Sequence, residues 1–175
     1  TSDQGFYLGE HGWFDKRFIY DESFKTPLLV RWPNKIKAGI TNDEMVQNLD
    51  FAQTFLEAAG IDAPNDMQGE SLIPLLTENG EDWTRDAVYY HYYEYPSVHM
   101  VKRHYGIVSK EFKLVHFYND IDEWELYDRI KDPDEMNNVY NSPDYRKIVD
   151  RLTQDLKEMR KKYKDSDLLD KSFIY

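Results

Sequence analysis

The sequence predicts an α/β fold whose end is a small α+β subdomain, an antiparallel sheet of about four strands packed on a C-terminal helix. Three observations predict it. Aromatic and β-branched runs at 88–95, 105–109, 112–118 and 124–127 are separated by turn-length gaps such as Lys110-Glu111 and Asn119-Asp120. After them, Tyr145, Ile148, Val149, Leu152, Leu156, Met159 and Tyr163 recur at helical spacing on one face. At the other end of the chain, Thr1-Ser2-Asp3 reads as the last residues of a buried parallel strand, and a Gly-rich loop follows.

In chain order, Asp3 stands at the carboxyl end of that first strand, the edge at which ligands collect in open α/β sheets. Gly5, Gly9 and Gly12 then let backbone approach a bound ion closely. Leu28-Leu29-Val30-Arg31-Trp32 reads as a short apolar strand closed by Pro33-Asn34, and 35–43 as a polar connector. Asp50 reads as an N-cap with Gln53 completing a capping box. Ala52, Phe55, Leu56 and Ala59 form the apolar face of the helix, and Gly60 ends it. The stretch 61–86 is loop-rich, broken at Pro64, Gly69, Pro74 and Gly80. A boundary near Trp83 divides the chain into residues 1–85, the end of the α/β part, and 86–175, the small subdomain. Ser142-Pro143 starts the last helix, and 164–175 shows no clear period.

A chain of 175 residues with 41% hydrophobic residues can build a core, and its net charge of -11 argues against nucleic-acid binding, which needs a basic footprint. Positive charge is local instead, at Lys16-Arg17 and at Lys102-Arg103-His104, which suits a small anion. With no cysteine there is neither a disulfide framework nor a thiolate site. No apolar run reaches membrane-spanning length. The chain opens on threonine rather than methionine, so sequence preceding Thr1 is expected.

The chemistry concentrates between Thr1 and Pro33. Asp3-Gln4 offers a carboxylate and an amide oxygen to a hard cation, and Lys16-Arg17 offers fixed positive charge to an anion beside it. Asp3-Gln4-Gly5, Gly9-Glu10-His11-Gly12, Lys16-Arg17, Glu22-Ser23 and Pro27-Leu28-Leu29-Val30-Arg31-Trp32-Pro33 together resemble the sulfatase family, within the alkaline-phosphatase-like superfamily. The resemblance continues through Gln47-Asn48-Leu49-Asp50, Met67-Gln68-Gly69-Glu70-Ser71-Leu72, Leu126-Tyr127-Asp128 and Asp132-Pro133. It therefore covers nearly the whole chain, as the C-terminal portion of such an enzyme.

The resemblance implies that Asp3 and Gln4 are metal ligands, for calcium, in a site completed by residues this chain lacks. It implies that Lys16 contacts the sulfate, while a solvated lysine is the plain alternative. Arg17 is a candidate substrate contact, or else a loop arginine paired with Glu22 or Asp21. His11 faces the sulfate or hydrogen-bonds its own loop. His99, Lys102 and His104 are candidates for the sugar side of the pocket, against the alternative of a solvated basic turn. His91 and His116 read as sheet residues.

The family nucleophile is a formylglycine made from the first residue of C/S-x-P-x-R, and no such pentapeptide occurs here. The resemblance thus implies sulfate-ester hydrolysis on a carbohydrate by the longer protein, with this chain alone inactive. The block from Tyr93-Glu94-Tyr95-Pro96 to Lys102-Arg103-His104-Tyr105-Gly106 looks most like bacterial N-acetylglucosamine-6-sulfatase and glycosaminoglycan-sulfatase types. A periplasmic or secreted location goes with them. Two other readings stay open: a phosphodiesterase or phosphonate hydrolase of the same superfamily, and a non-catalytic carbohydrate-binding module.

Overall fold

Four short strands lie where the aromatic runs predict them: β1 (Ala87–Tyr92), β2 (His104–Ser109), β3 (Phe112–Phe117) and β4 (Glu123–Asp128). They form one antiparallel sheet in the order β1-β2-β3-β4. The computed structural model describes residues 1–77, 80, 82–167 and 169. The unpatterned C-terminal stretch therefore lies outside the described residues at 168 and 170–175. Register aligns Ile107 with Leu114 and Leu114 with Leu126, a row of sealed aliphatic side chains across the sheet. Both faces of β2 and β3 are buried, so neither strand shows the simple alternation of a half-exposed sheet.

One face is covered by α4 (Arg146–Lys162), which packs on β2 and β3 through Val149, Leu152 and Leu156. The first turn is a 3-10 turn, Pro143–Tyr145, and Ser142 makes no side-chain cap bond, in contrast to the expected N-cap. Proline at the first position needs no donor there, which leaves less for a cap to satisfy. Beyond Leu156 the buried position is Arg160, whose guanidinium lies 4.0 Å from the Tyr105 ring centre. Tyr89 and His91, on the same face, meet Asp165 just past the helix.

The other face is covered by the N-terminal segment. Tyr7, Phe18, Ile19 and Tyr20 are buried. Phe18 stacks on His104 at 5.6 Å, and Tyr20 meets Tyr127 edge-on at 5.9 Å. A side chain at Gly106 would stand 2.8 Å from the Ile19 Cδ1 atom, so the absence of one lets the segment lie close on β2. Lys113 points to this face with no exposure, and its ammonium donates to the Ile19 carbonyl at 2.9 Å, to Asp21 at 2.8 Å and to Glu135 at 2.7 Å. Arg129 adds a bond of 2.7 Å to Asp21. A buried ammonium is tolerated because every proton it carries finds an acceptor. Together these groups fix α1 (Asp21–Phe24) over the sheet.

The chain falls into two compact units, Thr1–Pro27 with Tyr89–Tyr175, and Leu28–Val88. The second contains α2 (Asp50–Ala58) packed on α3 (Ile73–Thr77). Asp50 is not the expected cap. Its carboxylate is fully buried, accepts the Gln47 and Glu70 backbone N–H groups at 2.8 and 2.9 Å, and takes the Arg85 guanidinium at 2.8 Å. Nor is the expected apolar face the buried one, since Asp50, Gln53 and Thr54 are buried and Phe55 is 71% exposed. Two expected strands are absent from the described residues: Thr1-Ser2-Asp3 is exposed coil, and Leu28–Trp32 is unpaired, with Leu29 87% exposed. A strand exists only where another satisfies its backbone groups, and no described segment pairs with these two.

Candidate active site

Asp3 and Lys16 meet in a surface ion pair, Nζ to Oδ2 at 2.6 Å, with the Asp3 carboxylate 74% exposed and the lysine side chain 30% exposed. The hydrogen bond from Lys16 holds the Asp3 carboxyl below its ordinary range. Two backbone turns bring these distant residues together. Gly5 N–H donates to the Ser23 carbonyl at 2.7 Å, and Tyr7 N–H donates to the Asp15 carbonyl at 2.8 Å. A Cβ on Gly5 would collide with the Glu22 carbonyl at 1.9 Å, so only glycine lets the Asp3-Gln4 loop lie against α1.

Gln4 lies beside Tyr90, with a side-chain hydrogen bond that offsets part of the upward push of burial and Tyr92 on the phenol. The Tyr90 hydroxyl itself donates to the Arg17 carbonyl at 2.7 Å. An amide that turns an N–H to this phenol keeps its carbonyl oxygen for a cation. The donor chemistry of an exposed carboxylate already engaged by a cation, next to an amide oxygen, fits a hard metal ion. It is part of a shell only: roughly six to eight oxygens are needed, and no group of three His, Cys, Asp or Glu that could hold a metal occurs among the described residues.

A second cluster adjoins the first. Asp15 receives Arg17 at 2.8 Å and His99 at 3.2 Å, and it also accepts the backbone N–H of Lys16. Burial alone would push the Asp15 carboxyl up, but the Arg17 bond, the Lys16 N–H and the charges of Arg17 and His99 bring it below its usual value. Arg17 is raised by the same partner against its own desolvation, with Tyr92 and Glu94 adding negative potential. The partner of Arg17 is therefore Asp15, rather than the Glu22 or Asp21 of the plain sequence alternative.

The remaining candidates are dispersed. The His11 ring stacks on Tyr20 at 4.4 Å, and its Nε2 lies 3.3 Å from Glu22, both within its own segment. The Lys102 ammonium rests over the Tyr95 ring at 3.8 Å and reaches the Tyr95 hydroxyl. The expectation of one basic loop at 99–104 is corrected for its last two residues. Arg103 is buried on the Tyr93 carbonyl and Asp120, and His104 has no exposure. His104 opens β2, where the strand is covered on both faces; its Nδ1 donates to the Lys102 carbonyl at 2.8 Å, and burial lowers its pKa to about 4. As placed, it presents no atom to a substrate and instead floors Phe18.

Sequence reasoning missed Asp15, Tyr90 and Ser23. Asp15 sits next to Lys16-Arg17 and offered an adjacent-charge signal. Tyr90 and Ser23 gave none, because their roles depend on contacts with residues far off in the chain.

The four-stranded antiparallel sheet packed on a C-terminal helix is that of the C-terminal portion of a sulfatase of the alkaline-phosphatase-like fold. The chain belongs to the family N-sulphoglucosamine sulphohydrolase, C-terminal, which matches residues 9–162. It is 58% identical over 170 residues to the N-acetylglucosamine-6-O-sulfatase of Bacteroides thetaiotaomicron, covering 95% of this chain and 30% of that protein. An arylsulfatase of Clostridium perfringens is 32% identical over 155 residues, 87% of this chain and 31% of the relative. A solved structure in complex with its substrate D-glucosamine-2-N,6-O-disulfate superposes with a TM-score of 0.90 at 57% identity, over 95% of this chain and 34% of that one. The chain thus spans about a third of the length of the relatives it matches. This kinship implies a metal-dependent active site.

Proposed function

We propose that the protein carrying this chain is a sulfatase that removes the 6-O-sulfate of N-acetylglucosamine or of related glycosaminoglycan fragments. The observation that carries the reading is the 58% identity, over almost the whole chain, to an N-acetylglucosamine-6-O-sulfatase. The loop geometry supports it.

Asp3 and Gln4 would hold a calcium ion through the carboxylate and the amide carbonyl. Bound there, the ion supplies Lewis-acid polarisation of sulfate oxygens. Lys16 contributes a compact positive charge beside it, which stabilises negative charge as the S–O bond weakens. The Asp15-Arg17-His99 cluster offers a carboxylate and a guanidinium from the residues on either side of Lys16 in the chain, and an imidazole paired with that carboxylate, a donor and acceptor set suited to sugar hydroxyls. In this reading Arg17, His99 and Lys102 serve the sugar, and His11 and His104 support the segment from behind. The nucleophile, expected as formylglycine, comes from outside this chain. A periplasmic or secreted location accords with such a substrate.

The phosphonate-hydrolase alternative is disfavoured by the same identity and by the amide at Gln4, where transition metals favour imidazole. The test is hydrolysis by the full-length protein of N-acetylglucosamine-6-sulfate, glucosamine-2-N-sulfate and a phenyl phosphonate ester. Turnover of the 6-sulfate above the other two is expected. Preferential cleavage of the phosphonate, or of the N-sulfate, would replace the proposed substrate.

A further inference from the structure

Lys16 lies in no helix or strand, so neither backbone group is held by a secondary-structure ladder. Both are held by side chains instead. Its N–H donates to the Asp15 carboxylate, and its carbonyl accepts the hydroxyl of Ser23. Ser23 is only 1% exposed, inside α1. A helical serine ordinarily turns its hydroxyl back to its own preceding turn or to water. Here it reaches seven residues back along the chain.

The same residue makes two more bonds. Its carbonyl accepts Gly5 N–H at 2.7 Å, beside Asp3-Gln4, and its N–H donates to the Tyr20 carbonyl at 3.0 Å. Its neighbour Asp21 is anchored by Lys113 and Arg129, which ties α1 to the sheet. One rigid four-residue helix therefore braces the metal loop through a backbone bond and the lysine through a hydroxyl. A lysine side chain is long and freely rotating, so its aim depends on how firmly its backbone is fixed.

We infer that Ser23 is a positioning residue for Lys16: its hydroxyl sets the lysine backbone so that the ammonium meets the anionic substrate beside the Asp3-Gln4 loop. The inference rests on the reading of Lys16 as the sulfate contact. Removing the hydroxyl leaves both Ser23 backbone bonds in place, so Ser23→Ala loosens Lys16 without detaching the Gly5 loop. Loss of catalytic aim by a fraction of an ångström to an ångström costs about tenfold to a hundredfold in rate. The effect should fall on kcat more than on KM, and on sugar and aryl sulfates alike.

The test is a double-mutant cycle in the full-length protein with Ser23→Ala, Lys16→Ala and both, measuring kcat and KM for N-acetylglucosamine-6-sulfate, with the thermal midpoint recorded for each. Ser23→Ala should lower kcat about tenfold or more in the wild-type background and less than about twofold in the Lys16→Ala background. A serine that merely stabilises the fold would give the same loss in both backgrounds, and additive losses overturn the inference while leaving Lys16 in its role. If Lys16→Ala has no effect on turnover, the reading of Lys16 falls and the positioning role of Ser23 falls with it.

Discussion

Asp3, Gln4 and Lys16 stand out in the sequence because carboxylate, amide and lysine lie in one short segment that resembles the sulfatase pattern. The structure adds that Asp3 already binds a cation, the Lys16 ammonium at 2.6 Å. That contact is exposed, so it adds little stability and leaves the carboxylate free to exchange partners. Asp3→Ala in the full-length protein should abolish calcium binding and activity, because the charged ligand is lost outright. Gln4→Asn should weaken calcium binding more mildly, since the carbonyl is withdrawn by one methylene. Calcium titration of the two variants checks this, and wild-type affinity in both would remove Asp3 and Gln4 from the metal shell. Sequence alone had no means of separating His99 from His104. They are five residues apart in one polar block, yet the first pairs with Asp15 at the surface and the second is sealed beneath Phe18.

At the scale of elements, the sheet and the C-terminal helix on one of its faces were read well, and the cover of the other face was not. The aromatic runs and the turn-length gaps are local signals, and each strand appeared within a residue or two of its expected start. That the N-terminal segment seals the second face follows from Phe18, Ile19 and Tyr20 meeting β2 to β4, contacts between residues about a hundred positions apart. Nothing periodic announces them. Likewise Asp50 looks like a cap because Gln53 follows three residues on, while its partner Arg85 lies far along the chain. The buried histidines give the elements a pH dependence. Burial lowers His91 to about 4 despite its bond to Asp165, and lowers His104 to about 4. An unfolded histidine protonates as pH falls through about 6.5, so between that value and about 4 the unfolded chain binds more protons than the folded one. Stability is therefore full above about pH 6.5 and declines across this window, by on the order of 3 kcal/mol for each fully buried ring. Below it, protonation of Asp165, whose pKa is lowered by bonds from Tyr89 and His91 against the effect of burial, removes a further contribution. Urea unfolding at pH 7.5 and 4.5 should show the decline, and His104→Phe should flatten it. An unchanged slope in that variant would contradict the assignment.

For the whole molecule, the proposed function divides the labour between Lys16 and its neighbours. In it, Lys16 would serve the sulfate that every substrate shares, and the Asp15-Arg17-His99 cluster would serve the sugar that only the proposed natural substrate carries. Binding energy from a remote part of a substrate disappears when that part is absent, whereas charge stabilisation at the reacting group does not. The most direct measurement is kcat/KM of Lys16→Ala and His99→Ala in the full-length protein, on N-acetylglucosamine-6-sulfate and on an aryl sulfate. Lys16→Ala should lower both by similar factors, about 2 to 4 kcal/mol in transition-state stabilisation. His99→Ala should lower the sugar sulfate at least tenfold and leave the aryl sulfate within about twofold, a remote-contact loss. Equal losses on the two substrates for His99→Ala, or a Lys16→Ala enzyme as active as wild type, would contradict the division of roles.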